Sequence, residues 1–498
     1  MKTMIDLILQ NGTIITMDKK RQVLRNAGVA VDGGKIVCVG PAEEVSRTYT
    51  AKKIIDCENH VVLPGFIDVH GHGGHSFLRF IVKDTAHWMP AMTHTYKHYI
   101  SDEYFYYEGR VTALERLKAG VTTGVCVLGS QPRCDSPVFA HSNAKGYAEI
   151  GVRDIVCVGP CSTPWPHNFS RWEGDKRIQR AVPFEETVKS LEYVIKTLNK
   201  TNNNKTFAYV TPFKIVTSLD TNGPTPKDQL TKLTDHDKLQ AKEMRRIATE
   251  YDTRIHSDVF GGMLELLKED LSYALIGPDV HLQHCSYISD DEIKIMADSG
   301  TSAAVCPWSN APVHKMLDAG INMAITSDGS KTDCGFDLFG CMRHFQNSYR
   351  NLAKDPSLIP DAKALEMVTI DAAKAVGLDH ILGSIEPGKQ ADIITVNMLN
   401  PKLTPNFNLL FSLIQNAHAT DVDNVIIDGE LLMEDRKTNV NEKEILLSAQ
   451  KEADKTIERA IGLHKMAHID ENNWGKPRKP HLDEPFDIEW QRRDGGHY

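Results

Sequence analysis

Short apolar runs closed by turn residues fill the first sixty positions. Asp6-Leu7-Ile8-Leu9 leads into Asn11-Gly12, and Gly28-Val29-Ala30-Val31 leads into Asp32-Gly33-Gly34. Ile36-Val37-Cys38-Val39 and Lys53-Ile54-Ile55-Asp56 follow. Runs of this length with Asn-Gly and Gly-Gly between them read as strands joined by tight turns. Residues 1–63 are therefore expected to form part of a small all-β module.

From Pro64 the period changes. A helix over 103–118 stops at Gly120, the strand 121–127 follows, then a helix over 137–149 and the strand 154–158. The segment 160–183, carrying Pro160, Pro164, Trp165, Pro166 and Trp172, reads as a long irregular loop. Strands 207–210, 253–256, 280–284, 302–305 and 322–326 come next, separated mainly by helices over 235–250, 262–275 and 289–298. Counting from Val61 gives eight strands. Eight strand–helix units point to a closed (β/α)8 barrel of the TIM type. After a helix over 362–375, Glu386-Pro387-Gly388-Lys389 introduces strand 391–396, and 425–430 has the same β character. The expected organisation is a β-sandwich built from 1–63 and 386–435, a barrel over 64–385, and a C-terminal part, 436–498, with a helix near 441–465 and a polar tail from Asp470.

Composition narrows the function classes. A chain of 498 residues with 41% apolar and 25% charged positions is an ordinary globular protein. The net charge of -9 argues against nucleic acid or an anionic membrane as the main partner. No apolar run reaches the ~18 residues of a membrane span, and Asp6 interrupts what would be a signal-peptide core, so a cytoplasmic location is expected. The ten cysteines show no paired metal spacing, and Cys38, Cys126 and Cys157 lie inside apolar strands, as reduced buried thiols do.

The chemistry sits where a barrel puts it. Reacting groups gather at the C-terminal ends of the strands. His70 and His72 end the first strand, His256 the fifth, His284 the sixth and Asp328 the eighth. Side chains two apart on a strand share a face, so His70 and His72 can aim at one point, and neutral imidazole is a common metal ligand. His94, His98 and His464 fall elsewhere.

These motifs resemble the amidohydrolase superfamily, in the branch of chlorotriazine hydrolases, melamine deaminase and adenosylhomocysteine-type deaminases. The resemblance rests on Leu63-Pro64-Gly65-Phe66-Ile67-Asp68-Val69-His70-Gly71-His72, Leu117-Lys118-Ala119-Gly120-Val121-Thr122-Thr123 and His284-Cys285 with Ser289-Asp290-Asp291-Glu292. It continues in Cys306-Pro307-Trp308-Ser309-Asn310, Thr326-Ser327-Asp328-Gly329 and Gly383-Ser384-Ile385-Glu386-Pro387-Gly388-Lys389-Gln390-Ala391-Asp392. It implies one divalent metal, zinc first and iron or manganese next, on His70, His72, His256 and Asp328. It also implies proton transfer by Asp328 and His284, hydrolysis of a non-peptide carbon–nitrogen bond in a small molecule, and a homo-oligomer by fold analogy. His75, Arg79, Trp88, Trp308 and Ser330 are the substrate-contact candidates, with Asp333 beside Ser330.

Two departures bear on the reaction. Deaminases of this branch carry a glutamate three residues after the fifth-strand histidine, where this chain has Val259. Asp258 is adjacent and serves if the strand end is bulged; its plainer role is to cap the next helix. On the sequence alone the loss favours an amide, ureide or carbamate substrate over deamination of an N-heterocycle. Lys214, near the place of a metal-bridging carboxylated lysine in binuclear relatives, reads as a solvated or substrate-facing side chain. A non-catalytic interaction protein on the same barrel is the alternative of a different class.

Overall fold

A computed structural model describes residues 2–79, 85–219, 232–329 and 335–460, without the side chains of 85–90. Two nine-stranded sheets organise it.

The first is a mixed sheet made from both termini. Its path runs Lys437–Thr438, Glu430–Glu434, Val422–Ile427, Ile393–Asn397, His60–Pro64, Thr3–Ile15, Val23–Asp32 and Lys35–Pro41, with Tyr49–Asp56 parallel to Thr3–Ile15. The late strands therefore do return beside the early ones: Leu63 pairs Ile394 in an antiparallel register. Leu7, Leu9, Val29 and Val31 share one buried cluster with Ile393 and Ile426, so the sheet closes on its own apolar face. Val61, Val62 and Leu63 belong here and not to the barrel, where the strand count had placed them. They are apolar at consecutive positions because both of their faces are covered.

The second sheet is parallel throughout and carries the barrel: Phe66–Asp68 with His72–Gly73, Val121–Leu128, Arg153–Val158, Thr206–Val210, Ile255–Phe260, Val280–Ser286, Ser302–Val305 and Met323–Ile325. The ring closes where Gly71 bridges Asp328 and the Asp328 amide donates to the His70 carbonyl at 3.0 Å. Alternation along the strands sorts the core. Val125 and Val127 face the barrel interior, whereas Cys126 and Leu128 pack outward against the helices. Ala372, Ala373, Val376, Leu378 and Leu382 plug the interior at the N-terminal end of the strands.

Helices start and stop on local chemistry. Asp235–Glu250 opens with a Thr234–Asp237 capping box and Asp290–Ser299 with a Ser289–Glu292 box. Glu292 does more than cap: its buried carboxylate also accepts the amides of Gly262, Leu264 and Glu265 and so pins the loop after the fifth strand.

Three local expectations change. Residues 160–183 contain an antiparallel hairpin, His167–Glu173 with Lys176–Val182, turned at Gly174. Most of its second strand is exposed and polar, which left no apolar run to read. The expected helix over 262–275 is only Met263–Leu266 and a 3-10 turn, Leu271–Tyr273, because the Asp270 side chain accepts from the Ser272 amide. The helix over 362–375 is two, Asp361–Met367 and Ile370–Ala375. The C-terminal helix spans Glu442–Arg459, and the polar tail lies outside the described residues. The nine described cysteines are all free, and eight of them are buried.

Candidate metal centre and active site

His70 and His72 do not share one unbroken strand. The first strand stops at Asp68 and resumes at His72, and His70 lies in the bend between. What shapes the bend is an arginine. Arg116 is fully buried; its Nη2 donates to Asp68 Oδ2 at 2.8 Å and to the Val125 carbonyl, and its Nη1 to the Tyr147 hydroxyl. A Cβ on Gly71 would sit 2.4 Å from Nη2, and one on Gly124 would sit 2.0 Å from Nη1. Both glycines are there because the guanidinium is. Asp68 in turn accepts from the Ser327 amide and hydroxyl, at 3.1 and 2.6 Å, and so fixes the residue next to Asp328. The first and eighth strand ends are thus one rigid unit.

Hydrogen bonds settle which ring nitrogens are bare. The His72 Nδ1–H donates to the Gly129 carbonyl at 2.6 Å, leaving Nε2 with its lone pair. The His256 Nδ1–H donates to the His281 carbonyl at 3.1 Å, so its Nε2 accepts from His70 Nδ1 at 2.6 Å. His70 Nε2 is then also bare, and it is buried with no hydrogen-bond partner. Both free nitrogens face one oxygen: His70 Nε2 lies 3.4 Å and His72 Nε2 3.3 Å from Asp328 Oδ1. Three acceptors turned on one another need a cation between them. Separations near 3.3 Å match a tetrahedron with ~2.0–2.1 Å arms, the zinc–nitrogen and zinc–oxygen range. The donor set fits a divalent metal.

Electrostatics single out the same cluster. Burial opposes ionisation of Asp328, but the facing His70 and His72 rings overcome it and hold the carboxyl well below the usual range. Burial lowers His72, but Asp328 outweighs it and leaves His72 raised. His256 is held well below the ordinary value, first by burial and then by the neighbouring His281 and His70.

Across the mouth, His284 stacks on Phe260 with centroids 5.3 Å apart. Its Nε2 is 3.7 Å from Asp258 Oδ2, and its Nδ1 is 3.3 Å from Ser309 Oγ and 3.7 Å from Cys306 Sγ. His284, Cys285, Tyr287 and Asp328 all have positive φ, between 50° and 69°. Non-glycine residues occupy that region at a cost, and such strain collects at functional sites.

The fifth strand answers the question raised at Val259. His256 and Asp258 are two apart and share the inner face, whereas Val259 is fully buried in the outer core. The register slips by one between Val259 and Phe260 where this strand pairs the sixth. The carboxylate at the mouth is therefore that of Asp258, and it is not a helix cap.

The remaining candidates divide. Trp308 Nε1 donates to Asp328 Oδ2 at 3.0 Å. His75 is fully buried, stacked on His72 at 4.3 Å, and its Nδ1 donates to the Gly329 carbonyl at 3.3 Å. Arg79 Nη1 donates to Glu115 Oε1 at 3.0 Å. Lys214 is not solvated: it is buried, with its ammonium 5.0 and 5.7 Å from the Phe213 and Phe260 ring centroids. The Trp88 side chain, Ser330 and Asp333 lie outside the described residues. His281 went unremarked in the sequence, yet its ring stacks on His256 at 4.2 Å and its Nε2 donates to the Val69 carbonyl at 3.1 Å. Its two-residue spacing from Gln283, on the inner face of the sixth strand, was the available signal.

Known proteins resemble this chain in sequence and in fold. The chain is 26% identical over 457 residues to a 5-methylthioadenosine/S-adenosylhomocysteine deaminase of Syntrophobacter fumaroxidans, covering 87% of this chain and 94% of that protein. It is 27% identical over 473 residues to a 5'-deoxyadenosine deaminase of Methanosarcina acetivorans, covering 92% of this chain and 100% of the other. Its fold matches a zinc-bound adenosine deaminase of Xanthomonas campestris with a TM-score of 0.77 at 20% identity, over 92% of this chain and 100% of that one. It matches a zinc complex of the atrazine chlorohydrolase of Arthrobacter aurescens at 0.73 and 19%, over 90% and 100%. Among the described residues no helix is long and apolar enough to cross a membrane. The amidohydrolase family model matches residues 61–432, the whole barrel with its flanking strands, and the chain therefore belongs to the amidohydrolase family and is a hydrolase acting on carbon–nitrogen bonds.

Proposed function

We propose that this amidohydrolase is a deaminase of an adenosine-type N-heterocycle, with zinc held by His70, His72, His256 and Asp328. The observation that carries this reading is Asp258, on the inner face of the fifth strand and 3.7 Å from His284. Hydrolytic deamination needs a group that protonates the ring nitrogen as water adds to the adjacent carbon, and Asp258 supplies a carboxyl where the relatives' pattern has glutamate. The balance tips from the carbonyl substrates favoured by Val259 back to a ring. Near full-length likeness to deaminases of adenosine-type compounds supports the same choice.

A bound divalent cation supplies Lewis acidity that makes water nucleophilic near neutral pH. Asp328, held ionised, takes the proton that water loses, and its Oδ2 is steadied by the Trp308 indole. His284 faces both Asp258 and the interior, where it orients the attacking water. One water is consumed; the ring carbon gains its oxygen and the amine leaves as ammonia. We place the enzyme in the cytoplasm as a homo-oligomer, as the absence of a spanning helix among the described residues and the common habit of such barrels support.

Ammonia release from 5'-deoxyadenosine, 5'-methylthioadenosine, S-adenosylhomocysteine and triazines tests the proposal, with cyclic ureides and aryl amides as the opposing panel. Turnover of the first panel is expected, with kcat falling ~10²–10⁴-fold in Asp258→Asn. Silence there with turnover of the second panel contradicts it.

A further inference from the structure

Asp328 has different company at its two oxygens. Oδ1 faces His70 and His72, whereas Oδ2 accepts the Trp308 indole. Beyond that face stand the ends of the sixth and seventh strands. One donor atom from each of His284, Cys306 and Asp328 lies within 4.8 Å of the others. His284 Nδ1 and Cys306 Sγ are 3.7 Å apart, and Ser309 Oγ touches both, at 3.3 Å from the nitrogen and 2.9 Å from the sulfur. The three side chains are not loose. Phe260 stacks on His284, the Tyr349 hydroxyl donates to the Cys306 carbonyl at 3.3 Å, and the Cys306 side chain is fully buried.

We propose that His284, Cys306 and Asp328 form a second, thiophilic cation site beside the first, sharing Asp328, and that filling it stops turnover. An imidazole, a thiolate and a carboxylate select zinc, cadmium or copper(I) over magnesium or calcium, because sulfur is a soft ligand. Binding breaks the Cys306 S–H bond, forms a sulfur–metal bond and releases the proton to solvent. Inhibition follows from geometry: a cation on His284 Nδ1 fixes the ring that faces Asp258, and a cation on Asp328 draws off the charge that receives the water's proton. The binding stands on these three side chains alone; the inhibition rests on the roles proposed above for His284 and Asp328.

Cadmium is the probe. The protein as purified is titrated with it while three quantities are followed: the ultraviolet thiolate-to-cadmium charge-transfer absorption, the metal content, and ammonia release. The expected result is a band that saturates at one added equivalent, with turnover lost in step. Folded Cys306→Ser is expected to lack the band and keep its first equivalent of metal. Wild-type protein that shows no band in excess cadmium overturns the proposal whatever the variant does. A band that survives in folded Cys306→Ser overturns it too, since another thiol is then responsible. Failure of the first metal centre registers separately, as missing metal before any cadmium is added.

Discussion

At the floor of the barrel Ile67, Val125, Ile155, Phe207 and Tyr209 close on Ala372, Ala373, Val376 and Leu382. At the mouth, a few residues further along, stand His70, His256, His284 and Asp328. The floor is apolar, with regular alternation and aliphatic volume that many sequences could supply. The mouth buries lone pairs against one another, strains four backbone positions and carries a carboxylate that burial disfavours. One end is optimised for packing and the other opposes it. The mouth keeps its shape because the Asp68–Arg116 pair and the apolar floor fix the strand ends from below.

The sharpest way to break this contrast is to change one mouth residue and ask what is lost. Asp328→Asn removes the negative charge at the centre of the cluster. Catalysis is expected to fall ~10³-fold or more while the unfolding midpoint, measured with both proteins metal-free, stays close to that of the parent. Activity and denaturant unfolding measured on one preparation check both halves. A variant that unfolds early and keeps its specific activity reverses the assignment.

The floor should behave the other way. Leu382→Ala leaves a cavity under the strands, with an expected cost of about 2–5 kcal/mol in apparent unfolding free energy. The folded fraction should keep its KM and most of its kcat, because no reacting group moves. A large change in KM without loss of stability contradicts the division.

The chemistry was more legible in the sequence than its support. His70, His72, His284 and Asp328 could be found because a barrel presents reacting groups at strand ends, and strand ends are visible as apolar runs that stop; His256, expected to end the fifth strand, is instead the second residue of Ile255–Phe260. Asp68 and Arg116 could not be paired, being 48 residues apart with nothing local to link them. The reading of Val259 as a missing glutamate counted residues along the chain. The fold counts faces, and strand alternation sends Val259 outward and Asp258 inward. Lys214 looked solvated or substrate-facing because lysine is usually exposed; burial beside two phenylalanines is a tertiary fact. The hairpin over 167–182 escaped for a related reason, since its polar second strand carries no periodicity.

A pH-dependent effect lies between the two ends. Asp154 is fully buried, and burial raises its carboxyl to about 8. Arg116 and the Asn143 amide pull it down, and Glu108 pushes it up. Its unfolded value is ~3.9. Between these two the folded state holds the extra proton, so this group's contribution to stability falls as pH rises from ~4 to ~8. Asp154→Asn cannot titrate and should flatten the dependence by up to about 1.4 kcal/mol per pH unit in that window. Unfolding free energies at several pH values check it; an unchanged slope contradicts a proton held at Asp154.

Metal content tests the central claim, that the bare nitrogens of His70 and His72 and the charge of Asp328, with His256 beside them, enclose a divalent cation, most directly. Elemental analysis of dialysed protein is predicted to find one equivalent of zinc, iron or manganese, lost in His72→Ala and in Asp328→Asn. Less than about a tenth of an equivalent in the parent, unrestored by any of the three metals, contradicts the account.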